Sequence, residues 1–234
     1  MTGLKDRLMA VHQRIAAAAH QVGRNPKDIT LVCVSKTVPL MQVEEAAALG
    51  ECHFGENRVD ELGDKHDNMK CDVHWHFIGQ LQTNKVRKLV GKPYLVHSLD
   101  RASLAKELDR RSGEAGIVTP VLLQVDLDKQ PGRGGIANME EAKTLLDSVG
   151  QMDHLKPMGV MTIAPLACEG DALCGYFSRV YQLYEGLKAR AGKDFSVLSM
   201  GMSGDFETAI AEGATMVRIG SLIFGNRREE TLEV

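Results

Sequence analysis

The sequence predicts a (β/α)8 barrel of the TIM type preceded by one extra helix. Three observations carry this expectation. Short apolar or β-branched runs recur along the whole chain, stretches of helical periodicity separate most of them, and no Pro/Gly-rich linker divides the 234 residues. Strands that alternate with helices pair in parallel through right-handed crossovers. Residues 1–234 are therefore expected to form a single domain, with an open, doubly wound sheet as the competing architecture.

The elements follow in order. LKDRLMAVHQRIAAAAHQVG repeats apolar residues at Leu4, Leu8, Val11, Ile15, Ala18 and Ala19, and Gly23 is a stop signal for that first helix. Strands are read at 30–35 (TLVCVS), 52–54 (CHF), 75–78 (WHFI), 94–97 (YLVH), 120–125 (PVLLQV), 158–162 (MGVMT), 196–200 (SVLSM) and 215–219 (TMVRI). The second and fourth are the shortest. Helices are read from MQVEEAAALG, NRVDELGDKHDNM, NKVRKLVG, RASLAKELDRRSG, NMEEAKTLLDSVG, LCGYFSRVYQLYEGLKARAG and DFETAIAEGA, each following one of the first seven strands.

Composition excludes several classes. A net charge of −3 without a Lys/Arg stripe argues against a nucleic-acid partner. The five cysteines are odd in number and contain no CxxC pair, which fits a reduced, cytoplasmic setting better than a disulfide framework. Lys5, Asp6, Arg7, His12 and Arg14 break any signal-peptide apolar region. No apolar run approaches the roughly 18 residues of a membrane span.

In such barrels the functional end is the carboxyl end of the strands, and Lys36 stands there after the first strand. Its stem can lie along the barrel mouth with the ammonium in water. Alternatively it is a desolvated amine of lowered pKa that attacks a carbonyl. SMGMSGD at 199–205 and RIGSLIFG at 218–225 favour the second reading. Each combines Gly with Ser where a strand gives way to a helix, so amides and hydroxyls can converge on an anion. The loops after strands seven and eight are where these barrels commonly hold phosphate. Ser199, Ser203, Gly220 and Ser221 are the candidates. The ligand implied is small, phosphorylated and carries an aldehyde or ketone: pyridoxal 5′-phosphate, or the sugar phosphate of a Schiff-base aldolase. Arg218 alternates with Val217 and Ile219 and is expected to face the barrel interior. On a pyridine nitrogen, its donor-only guanidinium would keep that nitrogen unprotonated. An internal salt bridge with Glu56 is the alternative. His74 and His76 share a strand face, but no spacing supplies a metal pattern, and none is expected.

VSKT (34–37), FGENRVDE (54–61), WHFIGQLQTNK (75–85), GVMTI (159–163), LSMGMSGDFETAI (198–210) and MVRIGSLIFG (216–225) resemble the pyridoxal phosphate homeostasis protein family, single-domain relatives of the alanine racemase barrel. The resemblance implies pyridoxal 5′-phosphate held as an aldimine of Lys36. It implies Ser199, Ser203, Gly220 and Ser221 around the phosphate, with the Met200, Gly201 and Met202 amides nearby. It sets Arg218 on the pyridine nitrogen and Asn57 beside the ring. It also implies storage of the cofactor and delivery to apo-enzymes as transient partners, and assigns no catalytic residue. Two positions depart from the family pattern: Asp126 stands where asparagine is expected and Arg133 where a lysine is expected. An arginine forms no aldimine, so a two-lysine relay through position 133 is not expected, and Lys129 substitutes only if its loop reaches the ring. The alternative reading is a racemase of low activity. Racemisation needs a base on each face of the α-carbon. In full-length racemase relatives the opposing base comes from a second domain of the neighbouring subunit, and this sequence ends at Val234. A monomer without efficient two-base catalysis is expected.

Overall fold

Side chains two apart along a strand point to one face, so each strand of a closed barrel feeds two different cores. The computed structural model describes residues 3–166 and 168–225. Residues 1–2, 167 and 226–234 of the single-domain reading lie outside the described residues. Eight parallel strands close in chain order: β1 (Thr30–Val34), β2 (His53–Glu56), β3 (His74–Phe77), β4 (Leu95–Leu99), β5 (Thr119–Val125), β6 (Leu155–Thr162), β7 (Val197–Ser199) and β8 (Met216–Ile219). The seam pairs β1 with β8, Thr30 opposite Met216 and Cys33 opposite Ile219. Closure decides against the open sheet.

The outward set, including Leu31, Cys33, Phe54, Trp75, Val96, Leu123, Leu198 and Val217, packs with the helices in one large cluster. The inward set, Val32, Leu95, Leu122, Met161 and Met216, forms a separate small cluster inside the barrel. The rest of the interior is polar: His76, His97, Ser199 and Arg218 are all buried. Barrel interiors are dominated by branched aliphatic layers, so this departure points to function.

The helices are α1 (Leu4–Gln21), α2 (Leu40–Ala48), α3 (Val59–Asn68), α4 (Val86–Leu89), α5 (Ala102–Glu114), α6 (Met139–Val149), α7 (Gly170–Ala191), α8 (Phe206–Ala211) and α9 (Ser221–Phe224). α1 lies against α8 and α9 and buries Leu4, Leu8, Val11 and Ile15. Burial of each such side chain contributes ~1.5–3 kcal/mol, which supports a helix that would be marginal alone. α4 is one turn, entered through the 3-10 turn Thr83–Lys85, where the sequence suggests a longer helix. α9, the helix expected where RIGSLIFG leaves the eighth strand, is likewise a single turn. Among the described residues no helix is long and apolar enough to cross a membrane. The five cysteines are free.

Candidate functional site

A cavity of about 880 Å³ opens at the carboxyl ends of the strands, and Lys36, Asn57, Met202, Ser203, Arg218, Gly220 and Ser221 all line it. Gln80, Gln124 and Arg133 complete the polar part of its wall. Gly79, also on the wall, is there because of a close approach: a Cβ at this position would lie 2.0 Å from the Asn57 carbonyl oxygen. A neighbouring hollow of about 790 Å³ lies behind the turns after β1 and β2. Two ion pairs lie on its wall, Asp60 with Lys85 and Glu61 with Lys65.

Lys36 sits in a tight turn that ends β1, closed by the Val38 N–H donating to the Ser35 carbonyl at 2.9 Å. The next residue, Thr37, has a φ of 60°. For a β-branched residue this left-handed backbone is strained by ~1–3 kcal/mol. A buried ammonium counteracts the strain from below. Lys65 Nζ donates to the Ser35 carbonyl, Glu56 Oε1 and Glu61 Oε1, each at 2.7 Å. Glu61 in turn accepts from the Thr37 N–H, and Ser35 Oγ donates to Glu56 at 2.6 Å. Burial pushes the Glu56 carboxyl up from its ordinary range, against the pull of Lys65. Lys36 itself is exposed. The desolvated amine expected from the sequence is thus corrected: the turn carries Lys36 past the end of the strand and out of the barrel interior.

The two Gly-Ser loops meet. The Gly220 N–H donates to Ser203 Oγ at 3.3 Å, and the Met202 N–H donates to the Asp205 carboxylate. Helices α8 and α9 begin at the ends of these loops. Ser199, Met200 and Gly201 lie beneath the loops, all buried. The Ser199 hydroxyl faces Arg218 and His97, at 2.7 and 3.1 Å, and not the cavity. Its expected phosphate contact is replaced by a place inside the barrel, because Ser199 still belongs to β7 and its side chain turns to the interior.

Arg218 is 4% exposed and donates to Ser199 Oγ at 2.7 Å and to the Thr162 carbonyl at 2.8 Å. Burial lowers its pKa to about 10, which leaves it a cation at neutral pH. The alternative pairing with Glu56 does not form, since Glu56 points outward to Lys65 on α3 and Arg218 points inward. Arg133 stands at the cavity edge, where Nη1 donates to the carbonyls of Ala164 and Ile163 at 3.0 and 3.3 Å. Lys129 is exposed and is not part of the cavity wall. Asp126 is buried and accepts the Gln130 N–H at 2.8 Å.

Sequence reasoning did not single out Lys65, Glu61, His53 or His97. Glu61 and Lys65 carried a signal, their spacing of four residues on a helix. The histidines did not, because their contacts cross between strands. His74 and His76 share one strand face, as expected, and both rings lie against Tyr94 and His53; His74 is nearest Tyr94, with ring centroids 4.3 Å apart, and His76 lies between His53 and His97. Among the described residues no group of three or more His, Cys, Asp or Glu could hold a metal ion.

Residues 7–228 match the family model described as the alanine racemase N-terminal domain. The chain is 41% identical over 224 residues to the pyridoxal phosphate homeostasis protein of Aquifex aeolicus, covering 95% of this chain and 98% of that one. The solved structure of PipY from Synechococcus elongatus with pyridoxal phosphate bound is similar with a TM-score of 0.84 and 34% identity, covering 95% of this chain and 100% of that one. An alanine racemase from Clostridium difficile shares the fold alone, with a TM-score of 0.73 at 13% identity over 94% of this chain and 57% of that one. The chain belongs to the pyridoxal phosphate homeostasis protein family, a group of alanine racemase N-terminal domain barrels.

Proposed function

We propose that this protein binds pyridoxal 5′-phosphate reversibly through Lys36 and serves cofactor homeostasis, storing the cofactor and delivering it to apo-enzymes without efficient catalysis. One observation carries the reading: the Lys36 amine, the Ser203 and Ser221 hydroxyls and the Arg218 guanidinium line one cavity. The residues fit this ligand chemically. About 880 Å³ lies within the usual range for small-molecule pockets. The Ser203–Gly220 junction offers hydroxyls and amides to a phosphate, and Arg218 offers only donors to a ring nitrogen, leaving that nitrogen no proton. The cofactor supplies an aldehyde and a visible chromophore. Lys36 would hold that aldehyde through its amine, a bond made with loss of water that another amine could reverse. Asn57, on the same wall, would stand beside the ring. An exposed lysine suits capture and release better than a sealed site does.

Racemisation needs a second base opposite Lys36. The polar side chains of the described lining are otherwise an asparagine, two glutamines, two arginines and two serines, none of them suited to be that base at neutral pH. This supports the carrier over the racemase. The same reading makes the chain one cytoplasmic domain acting as a monomer, with apo-enzymes of this cofactor as passing partners.

The test is the visible spectrum of the cofactor-loaded protein and of Lys36→Ala. A yellow band in the wild type that the variant loses is the expected result. An unchanged band in Lys36→Ala would overturn the assignment of Lys36, and a colourless wild type would overturn the cofactor.

A further inference from the structure

Three histidines line up inside the barrel with hydrogen-bond spacing at every junction. His53 Nδ1 lies 2.9 Å from His76 Nε2, and His76 Nδ1 lies 2.9 Å from His97 Nε2. His97 Nδ1 is 3.1 Å from Ser199 Oγ, which also receives Arg218 Nη1 at 2.7 Å. The chain thus runs from the amino end of β2, across β3 and β4, to β7 and β8. His76, His97, Ser199 and Arg218 are buried, while His53 is half-buried and borders a hollow at the amino end of the strands with His12 and Pro26.

Heavy-atom positions do not reveal which nitrogen of an imidazole carries the proton; its partners decide that. Here they leave one direction. A guanidinium has donors only, so Ser199 Oγ must accept from Arg218. The hydroxyl keeps one hydrogen, and His97 Nδ1 is its described partner able to accept it. His97 therefore carries its proton on Nε2 and donates to His76 Nδ1. His76 in turn carries its proton on Nε2 and donates to His53 Nδ1. The reverse order would aim both His97 and Arg218 at Ser199 Oγ and leave the serine hydrogen buried without an acceptor, a state folded proteins seldom tolerate. Burial, with the charges of neighbouring rings, also keeps the inner rings neutral. It lowers His76 to about 3 and His97 well below the ordinary value.

We propose that this histidine chain is a positioning device for Arg218. It fixes the Ser199 hydroxyl, which together with the Thr162 carbonyl holds the guanidinium in the orientation that presents its remaining N–H groups to the cavity. The inference rests on the reading that Arg218 meets the pyridine nitrogen of the cofactor. The chain is not a proton wire, because Arg218 has no acceptor and any transfer would stop at Ser199. His97, His76 and His53 are positioning residues, acting through Ser199.

The test begins with ¹⁵N-histidine NMR of the ligand-free protein at neutral pH. His76 and His97 are expected as neutral Nε2–H tautomers, with couplings across the hydrogen bonds joining His97 Nε2 to His76 Nδ1 and His76 Nε2 to His53 Nδ1. A His97 protonated on Nδ1, or a missing coupling at either junction, would overturn the ordered chain. The second arm uses pyridoxal 5′-phosphate with His97→Leu and, as a smaller excision should that variant fail to fold, Ser199→Ala. Both are expected to bind about tenfold more weakly. Both should also show a visible band that shifts with pH where the wild-type band does not, since a loosened guanidinium no longer denies the ring nitrogen a proton. Ser199→Thr, which keeps the hydroxyl, should restore wild-type behaviour. Wild-type affinity and a pH-independent band in His97→Leu or Ser199→Ala would overturn the positioning role. A wild type without any band would instead sink the cofactor reading, and the NMR couplings would still decide the order of the chain.

Discussion

Lys65 shows how much a single residue can hold in place without touching the cavity contents. Its ammonium binds three oxygens at 2.7 Å, and one of them belongs to a glutamate with no exposed surface. Removing one partner of such a buried pair costs ~3–5 kcal/mol, because the other charge is left stranded. Lys65→Met is therefore expected to lower the unfolding midpoint by roughly 10 °C, as thermal denaturation would show. Glu56→Gln in the same background should recover part of the loss, since the stranded charge is gone. A Lys65→Met protein as stable as the wild type would mean that the network contributes nothing. At this scale the sequence was legible where chemistry follows directly on a strand. Lys36, Ser203, Arg218 and Ser221 could be read that way, each at or just past a strand end. Lys65 could not. A lysine four residues after a glutamate on a helix ordinarily marks a solvated face, and only the packing of α3 over the end of β2 turns it inward. Ser199 misled for a related reason: it is the last residue of its strand, and the alternation of a strand turns its hydroxyl to the interior, toward His97 and Arg218.

The loop between β7 and α8 is the element on which the phosphate region depends, and its backbone requires a glycine. Gly201 has a φ of 95°, and a Cβ there would lie 2.6 Å from Ala209 Cβ and 2.9 Å from Phe206 Cα. Gly201→Ala combines a strained backbone with a collision against α8, so a destabilisation of ~2 kcal/mol or more is expected. It should also weaken pyridoxal 5′-phosphate binding by displacing Met202 and Ser203. Unfolding midpoints and a binding titration would check both effects, and unchanged values in both would show that the loop has room to adjust. Most helices were readable from periodicity, because each buries a continuous apolar stripe. α4 was read too long and α9 was expected without bounds, since a single turn is too short to display a period. Gly225, with a φ of 86°, ends α9 as glycine commonly ends a helix.

For the whole molecule, the alternation of strands and helices predicted the barrel, while its polar interior, Arg218 apart, depended on register and could not be read from one sequence. That interior makes stability depend on pH. The folded pKa of His76, about 3, lies below its ordinary value of 6.5, and His97 is shifted the same way. Between those values the unfolded chain binds protons that the folded one refuses, so stability is complete above about pH 6.5 and falls on acidification. His76 alone accounts for a loss of order 4 kcal/mol by pH 3. Glu56, raised by burial, works with the opposite sign and offsets part of this. Urea midpoints should decline steadily from pH 7 to pH 4, and a flat profile would contradict the neutral histidine interior. The seam between β1 and β8 has a further consequence, for biosynthesis. A ribosome releases Lys36 well before the loops that complete its cavity, so the nascent chain carries a bare amine while the later strands are still being made. Any truncated product lacking β8 would lack Arg218 and the Gly220–Ser221 step, and with them one wall of the cavity.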